Sequence, residues 1–165
     1  MNKTKVLIIV AIVLVVALGA GGAVGYAIMT KSSVTLEQFE KKAEAMELED
    51  GATYTLTDAG EMNNVKKATI ASNGNKYKLY FMEMDSDKAA CNAFQANVDG
   101  FKIFEVPADG IVGELKEGLN YKTYTLVTGG KYYLLSRVKD TFVFAYVDRA
   151  YMDEVNTLID ELGYL

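Results

Sequence analysis

Hydrophobic and polar positions along this chain follow three successive patterns. Val6 to Met29 reads VLIIVAIVLVVALGAGGAVGYAIM, 24 residues without a charge. From Thr35 the apolar residues recur at helical spacing. Beyond Val65 they alternate over short runs separated by turn residues, with two further helical stretches.

The first pattern predicts a membrane span. As a helix, residues 6–29 would be about 36 Å long, against a hydrocarbon core of about 30 Å. A secretory signal has an apolar region of only about 7–15 residues. Gly25-Tyr26-Ala27 would nevertheless serve as a small-x-small cleavage site, so a cleaved form is the competing reading. A lipid-modified signal needs a cysteine at the cut, and the single cysteine is Cys91. A pilin-type helix needs a glutamate inside the run, and there is none. Lys3 and Lys5 precede the run and Lys31 follows it, a slight bias toward a cytoplasmic N-terminus. The expected plan is a cytoplasmic lead (1–5), a transmembrane anchor (6–29), a polar hinge (30–34) and one extracytoplasmic domain (35–165). The expected setting is a bacterial cell membrane, crossed once. Ala17, Gly21 and Gly25 are spaced by four, as are Gly19, Ala23 and Ala27. Such spacing lets two spanning helices approach closely, so a homodimer through the anchor is a candidate arrangement.

In the second pattern, Leu36, Phe39, Ala43 and Met46 share a helix face. Thr35 and Gln38 stand at capping-box spacing before it, predicting a helix over 35–47. Thr53 to Leu56 reads as a short strand. Val65–Ser72 and Lys76–Met84 flank Asn73-Gly74-Asn75, a strong hairpin signal. Asp85-Ser86-Asp87 opens a helix with Ala90, Phe94 and Val98 on one face, ending over Asn97–Gly100. Phe101–Val106 reads as a strand, and 107–120 as a long connection.

The last pattern is the clearest. Tyr121–Thr128, Lys131–Val138 and Thr141–Asp148 are joined by Gly129-Gly130 and Lys139-Asp140, predicting a three-stranded antiparallel meander. A closing helix carries Met152, Val155, Ile159 and Leu162, with Gly163 as its C-terminal cap. The fold class is therefore α+β: about five strands, mainly antiparallel, with three helices mostly on one face. Leu79, Phe81, Phe94, Val155, Ile159 and Leu162 are the expected core.

Composition narrows the function. Of 17 basic residues, all but Lys3 and Lys5 lie after the apolar run, together with all 22 acidic ones, giving residues 31–165 a formal charge of −7. That opposes nucleic-acid binding. There is no histidine, which removes the commonest general base and the commonest imidazole metal ligand. Ser136 and Lys139 match a Ser-x-x-Lys spacing, but on a strand running into a turn. Asp85, Asp87, Asp153 and Glu154 fall at helix starts, where capping and dipole complementarity account for them; Glu47, Glu49 and Asp50 read as a solvated helix exit, with loose calcium binding as the competing reading. Calcium-loop and phosphate-loop patterns are absent. No catalytic, cofactor or metal residue is assigned, and no cofactor is expected.

The strands are apolar on both faces, whereas a sheet covered on one side should be polar on the other. Either the 101–120 segment covers the second face, or that face meets a partner. Tyr80, Met82, Tyr132 and Leu134 are the candidate interaction surface. The leading expectation is a non-catalytic, membrane-anchored binding module for a protein or cell-wall partner. The alternatives are an envelope-glycan hydrolase using an Asp/Glu pair, and a structural subunit of a membrane complex.

Overall fold

The predicted capping box is formed. Thr35 accepts from the Gln38 N–H, and Gln38 accepts from the Thr35 N–H, starting helix α1 at Leu36–Ala45. This is a computed structural model; it describes residues 30–48, 50–74, 76–103 and 111–165. The anchor expected over 6–29, with Ala17, Gly21 and Gly25, lies outside them. Among the described residues no helix is long and apolar enough to cross a membrane.

After α1 come β1 (Thr55–Asp58), β2 (Val65–Ser72), β3 (Lys78–Met84), α2 (Asp87–Ile103), β4 (Ile111–Glu117), β5 (Tyr121–Thr128), β6 (Lys131–Val138), β7 (Thr141–Asp148) and α3 (Met152–Glu161). The fold is α+β. The seven strands form one antiparallel sheet in the order β1-β2-β3-β7-β6-β5-β4. The meander strands have the expected limits, and both turn glycines, Gly129 and Gly130, adopt the positive φ that a two-residue hairpin turn requires. Ser86 Oγ accepts from the Ala89 N–H, capping α2. Beyond α3, the Gly163 N–H reaches the Asp160 carbonyl and the Tyr164 N–H reaches that of Ile159. This is a Schellman closure, with Gly163 at φ 78°.

Two expectations need correction. The sheet has seven strands rather than about five, because the short strand read over Thr53–Leu56 joins it as β1 and because β4 lies within the stretch read as a connection. It is an edge strand with a register shift between Ile111 and Glu114, and its charged positions hide the apolar alternation, as edges often do. Phe101–Ile103 continues α2 instead of starting a strand; Gly100 is accommodated inside the helix, and 104–106 lie outside the described residues. Residues 30–34, read as a polar hinge, are tied to the domain by hydrogen bonds. Asn120 Oδ1 accepts from the Lys31 N–H (2.9 Å) and Asn120 Nδ2 donates to the Lys31 carbonyl (2.7 Å). Lys31 Nζ donates to the Leu165 main-chain oxygen (2.5 Å), and the Val34 N–H donates to the Tyr164 hydroxyl (3.2 Å).

Two cores result, one on each face. On the first, α1 and α3 cover Leu79, Phe81, Leu134, Val143 and Ala145. Phe39 stacks on Phe81 at 4.6 Å, and Lys42 meets Glu161 at 2.9 Å. On the second, α2 lays Ala90, Phe94 and Val98 over Met82, Met84, Leu135 and Phe142. The six expected core residues are all buried. The double apolar face thus has a structural cause: two helices share one side and the third covers part of the other.

Candidate functional site

The four residues expected as an interaction surface do not share a face of the sheet. Tyr132 and Leu134 face the first core, 3% and 0% exposed; the Tyr132 hydroxyl donates to Asn156 Oδ1 at 2.6 Å. Tyr80 and Met82 face the opposite side, with α2. Strand register explains the split: Tyr80 pairs with Phe144, and Phe144 with Leu135, so the β6 residues on the face of Tyr80 are Tyr133 and Leu135. A shift of one residue exchanges the faces.

On that second face, register draws an apolar row across the sheet: Ile70, Tyr80, Phe144, Leu135, Tyr124 and Leu115. A parallel row nearer the β5–β6 turn holds Lys78, Tyr146, Tyr133 and Leu126. Seven strands spaced about 4.8 Å apart make a face roughly 29 Å wide. A single helix is about 10 Å across and cannot cover it. α2 takes the end carrying Met84 and Phe142, and its Phe101 reaches across to Tyr133 (4.7 Å, edge-on) and Tyr124 (6.3 Å). Tyr80 and Phe144, 6.1 Å apart, are only half-buried, and Tyr146, 4.8 Å from Tyr133, is 45% exposed.

Two adjoining hollows share Tyr80 and Phe144. One, of about 360 Å³, lies between α2 and the β1–β2 loop, lined by Met62, Val65, Met82, Met84 and Phe142, with Asn97 at its rim. The other, of about 400 Å³, opens at the strand ends between Lys76, Lys78, Lys131 and Tyr146. Lys131 is paired with Asp148, which raises its pKa, and its ammonium lies 5.4 Å over the Tyr146 ring. Burial beside Tyr146 raises the Tyr133 pKa as well. Together the hollows form an apolar groove with a basic exit.

The remaining candidates are held in structural roles. Ser136 is fully buried and donates to the Tyr164 carbonyl (2.8 Å) beside Thr123, so the Ser136–Lys139 spacing does not form a nucleophile with its base. Glu154, in the first turn of α3, accepts from the Tyr77 hydroxyl at 3.1 Å, while its carbonyl takes the Tyr54 hydroxyl at 3.3 Å. Asp50 is held below its ordinary pKa by Lys76 (2.6 Å) and by the Ala52 N–H. Asp87 sits in the first turn of α2. No group of three or more His, Cys, Asp or Glu side chains suited to a metal exists among the described residues. Cys91 is a free, half-buried thiol on α2.

Sequence reading missed Tyr133, Phe144 and Tyr146 as surface residues. The two-residue turns at 129–130 and 139–140 set the meander's register, so grouping these three was within reach. Their alignment with Tyr80 was not. Comparison with protein-family models, curated proteins and solved structures returns no match for this chain.

Proposed function

We propose that this chain is a membrane-anchored, extracytoplasmic, non-catalytic binding module whose contact surface is the groove around Tyr80, Phe144 and Tyr146. The observation that carries the reading is the incompletely covered second face, where half-buried and exposed aromatic rings line an apolar groove. Tyrosine favours interfaces because its ring supplies area and its hydroxyl a hydrogen bond. Met62, Met82 and Met84 suit protein side chains of varied shape, since the thioether adapts to its neighbour. The occupant is therefore a partner protein presenting apolar side chains. The uncharged run over 6–29 supports the anchor, and the small-residue face at Ala17, Gly21 and Gly25 is the part through which two anchors would pair.

The test is photo-crosslinking in intact cells that carry the full-length protein. A crosslinking residue at Tyr80 or Tyr146 should give a discrete protein adduct that Phe144→Asp abolishes, while one at Glu44, exposed on α1, gives none. Equal adducts at Glu44, no adduct anywhere, or an adduct made of sugar would each refute the reading.

A further inference from the structure

The way the chain enters the domain fixes which end of the sheet meets the membrane. Lys31 is two residues beyond Met29, so it stands within about 7 Å of the end of the apolar run. The Asn120 side chain grips both the N–H and the carbonyl of Lys31. The Lys31 ammonium adds a contact at 4.7 Å over the Tyr121 ring and its bond to Leu165. The Asn120 carbonyl in turn accepts from the Lys139 N–H (2.9 Å), which ties the β4–β5 turn to the β6–β7 turn. The Asp140 carbonyl accepts from the Met84 N–H (2.7 Å), extending the tie to β3. The entry point is therefore locked to one end of the four strands β5, β6, β7 and β3.

A second, independent feature lies at the same end. Leu119, at the tip of the β4–β5 turn, is 64% exposed, the largest exposure among the large hydrophobic residues described. Lys116 and Lys122 stand beside it, exposed and half-buried, each paired with a glutamate, Glu114 at 3.7 Å and Glu117 at 3.0 Å. An apolar tip ringed by charged side chains suits the interfacial layer of a bilayer, where the leucine enters the acyl boundary and the charges stay with the headgroups. That layer is about 5–8 Å deep on each side of the hydrocarbon core. The reach from Met29 to Lys31 is of that order, and Asn120 lies one hydrogen-bonded side chain beyond.

We infer that the Gly118–Asn120 turn seats on the outer lipid surface, so that the domain stands upright, the groove runs up the sheet from the Met84–Phe142 end, and its basic exit is turned away from the membrane. The groove's basic exit, at Lys78, Lys131 and Tyr146, is at the opposite strand ends from Asn120. Eight residues of strand put it about 25 Å farther out. The partner of this seat is lipid; the inference rests on the anchor reading and adds an orientation to it.

The experiment uses the full-length protein with Cys91→Ser, reconstituted in phosphatidylcholine vesicles that carry headgroup-attached quenchers. A fluorophore is placed on Lys116→Cys or, separately, on Lys78→Cys. Expected are co-flotation with the vesicles and severalfold stronger quenching at 116 than at 78. Asn120→Ala or Leu119→Asp should reduce that ratio toward one. Equal quenching at both positions in protein that floats with the vesicles overturns the seat and leaves the anchor standing. Protein that does not float overturns the anchor and the seat together. An unchanged ratio in both Asn120→Ala and Leu119→Asp also overturns the seat.

Discussion

Tyr164 lies at the crossing of the N-terminal segment, the sheet and the end of α3, and removing its hydroxyl alone tests whether that crossing is as specific as it looks. The side chain is fully buried. Thr141 Oγ1 donates its one proton to the Val138 carbonyl (2.6 Å), so in the 2.5 Å contact between Thr141 and Tyr164 the tyrosine must be the donor. Its oxygen then accepts from the Val34 N–H. Tyr164→Phe keeps the ring and deletes both bonds. A buried neutral hydrogen bond contributes about 0.5–1.5 kcal/mol, and a buried group left without a partner costs about 1–3 kcal/mol. Val34 is only partly buried, so the lower part of that range applies and the sum is about 2 kcal/mol. Unfolding entropy near 2.1 cal/mol/K per residue gives about 0.3 kcal/mol/K for a domain of this size. The expected fall in Tm is thus roughly 7 °C. The assay is thermal and urea unfolding of residues 30–165 followed by near-ultraviolet circular dichroism. Thr141→Val and the double variant complete a cycle with an expected coupling of about 1 kcal/mol. A Tm within about 2 °C of the parent, or strict additivity of the two changes, would show that the hydroxyl is not placed as described.

Two further outcomes follow from the same side of the sheet. Burial pushes Tyr54 and Tyr132 up to about 12 and raises Tyr77 and Tyr164 too; because the folded values exceed the unfolded value near 10, the stability they confer is complete below about pH 10 and is lost as pH climbs through about 12. Phenolate absorbance should then show a late step that coincides with loss of the circular dichroism signal, and a single early titration of every tyrosine would contradict it. Gly163→Ala should destabilise the domain by about 1 kcal/mol with Gly163→Asn milder, since a Cβ there meets no atom within 4 Å and the cost is the left-handed backbone alone; urea midpoints measure it, and equal stability of all three would remove the Schellman closure from the account.

What could be read from the chain, and what could not, divides by sequence distance. Local chemistry was legible: the Thr35–Gln38 box, the Gly129-Gly130 turn, the three meander strands and the Gly163 cap are each written in residues a few positions apart. The pairing of β3 with β7 was not, because nothing local joins Met84 to Thr141. Without it, Tyr80 and Tyr132 looked equivalent, although one faces α2 and the other Asn156. β4 was hidden because an edge strand with Glu114, Lys116 and Gly113 lacks the alternation that marks a central one. Asn120 stood in a turn-rich stretch with no sign that it would bind Lys31, 89 residues away in sequence.

The long-range contacts also explain why one face is closed and the other is not. Both ends of the described chain run to the first face: 30–34 pass over it into α1, and α3 returns across it to Tyr164, whose carbonyl takes hydrogen bonds from Thr123 and Ser136. Those hydroxyls are polar groups in a buried position, and each would carry a desolvation cost if Tyr164 were displaced. The first face is thus held shut by hydrogen bonds as well as by apolar packing. α2 holds the second face through apolar contacts of Ala90, Phe94 and Val98, which are less directional. The open groove on the second face and the closed packing on the first are therefore consequences of the same topology, in which two helices and both chain ends occupy one side and leave the other to a single helix.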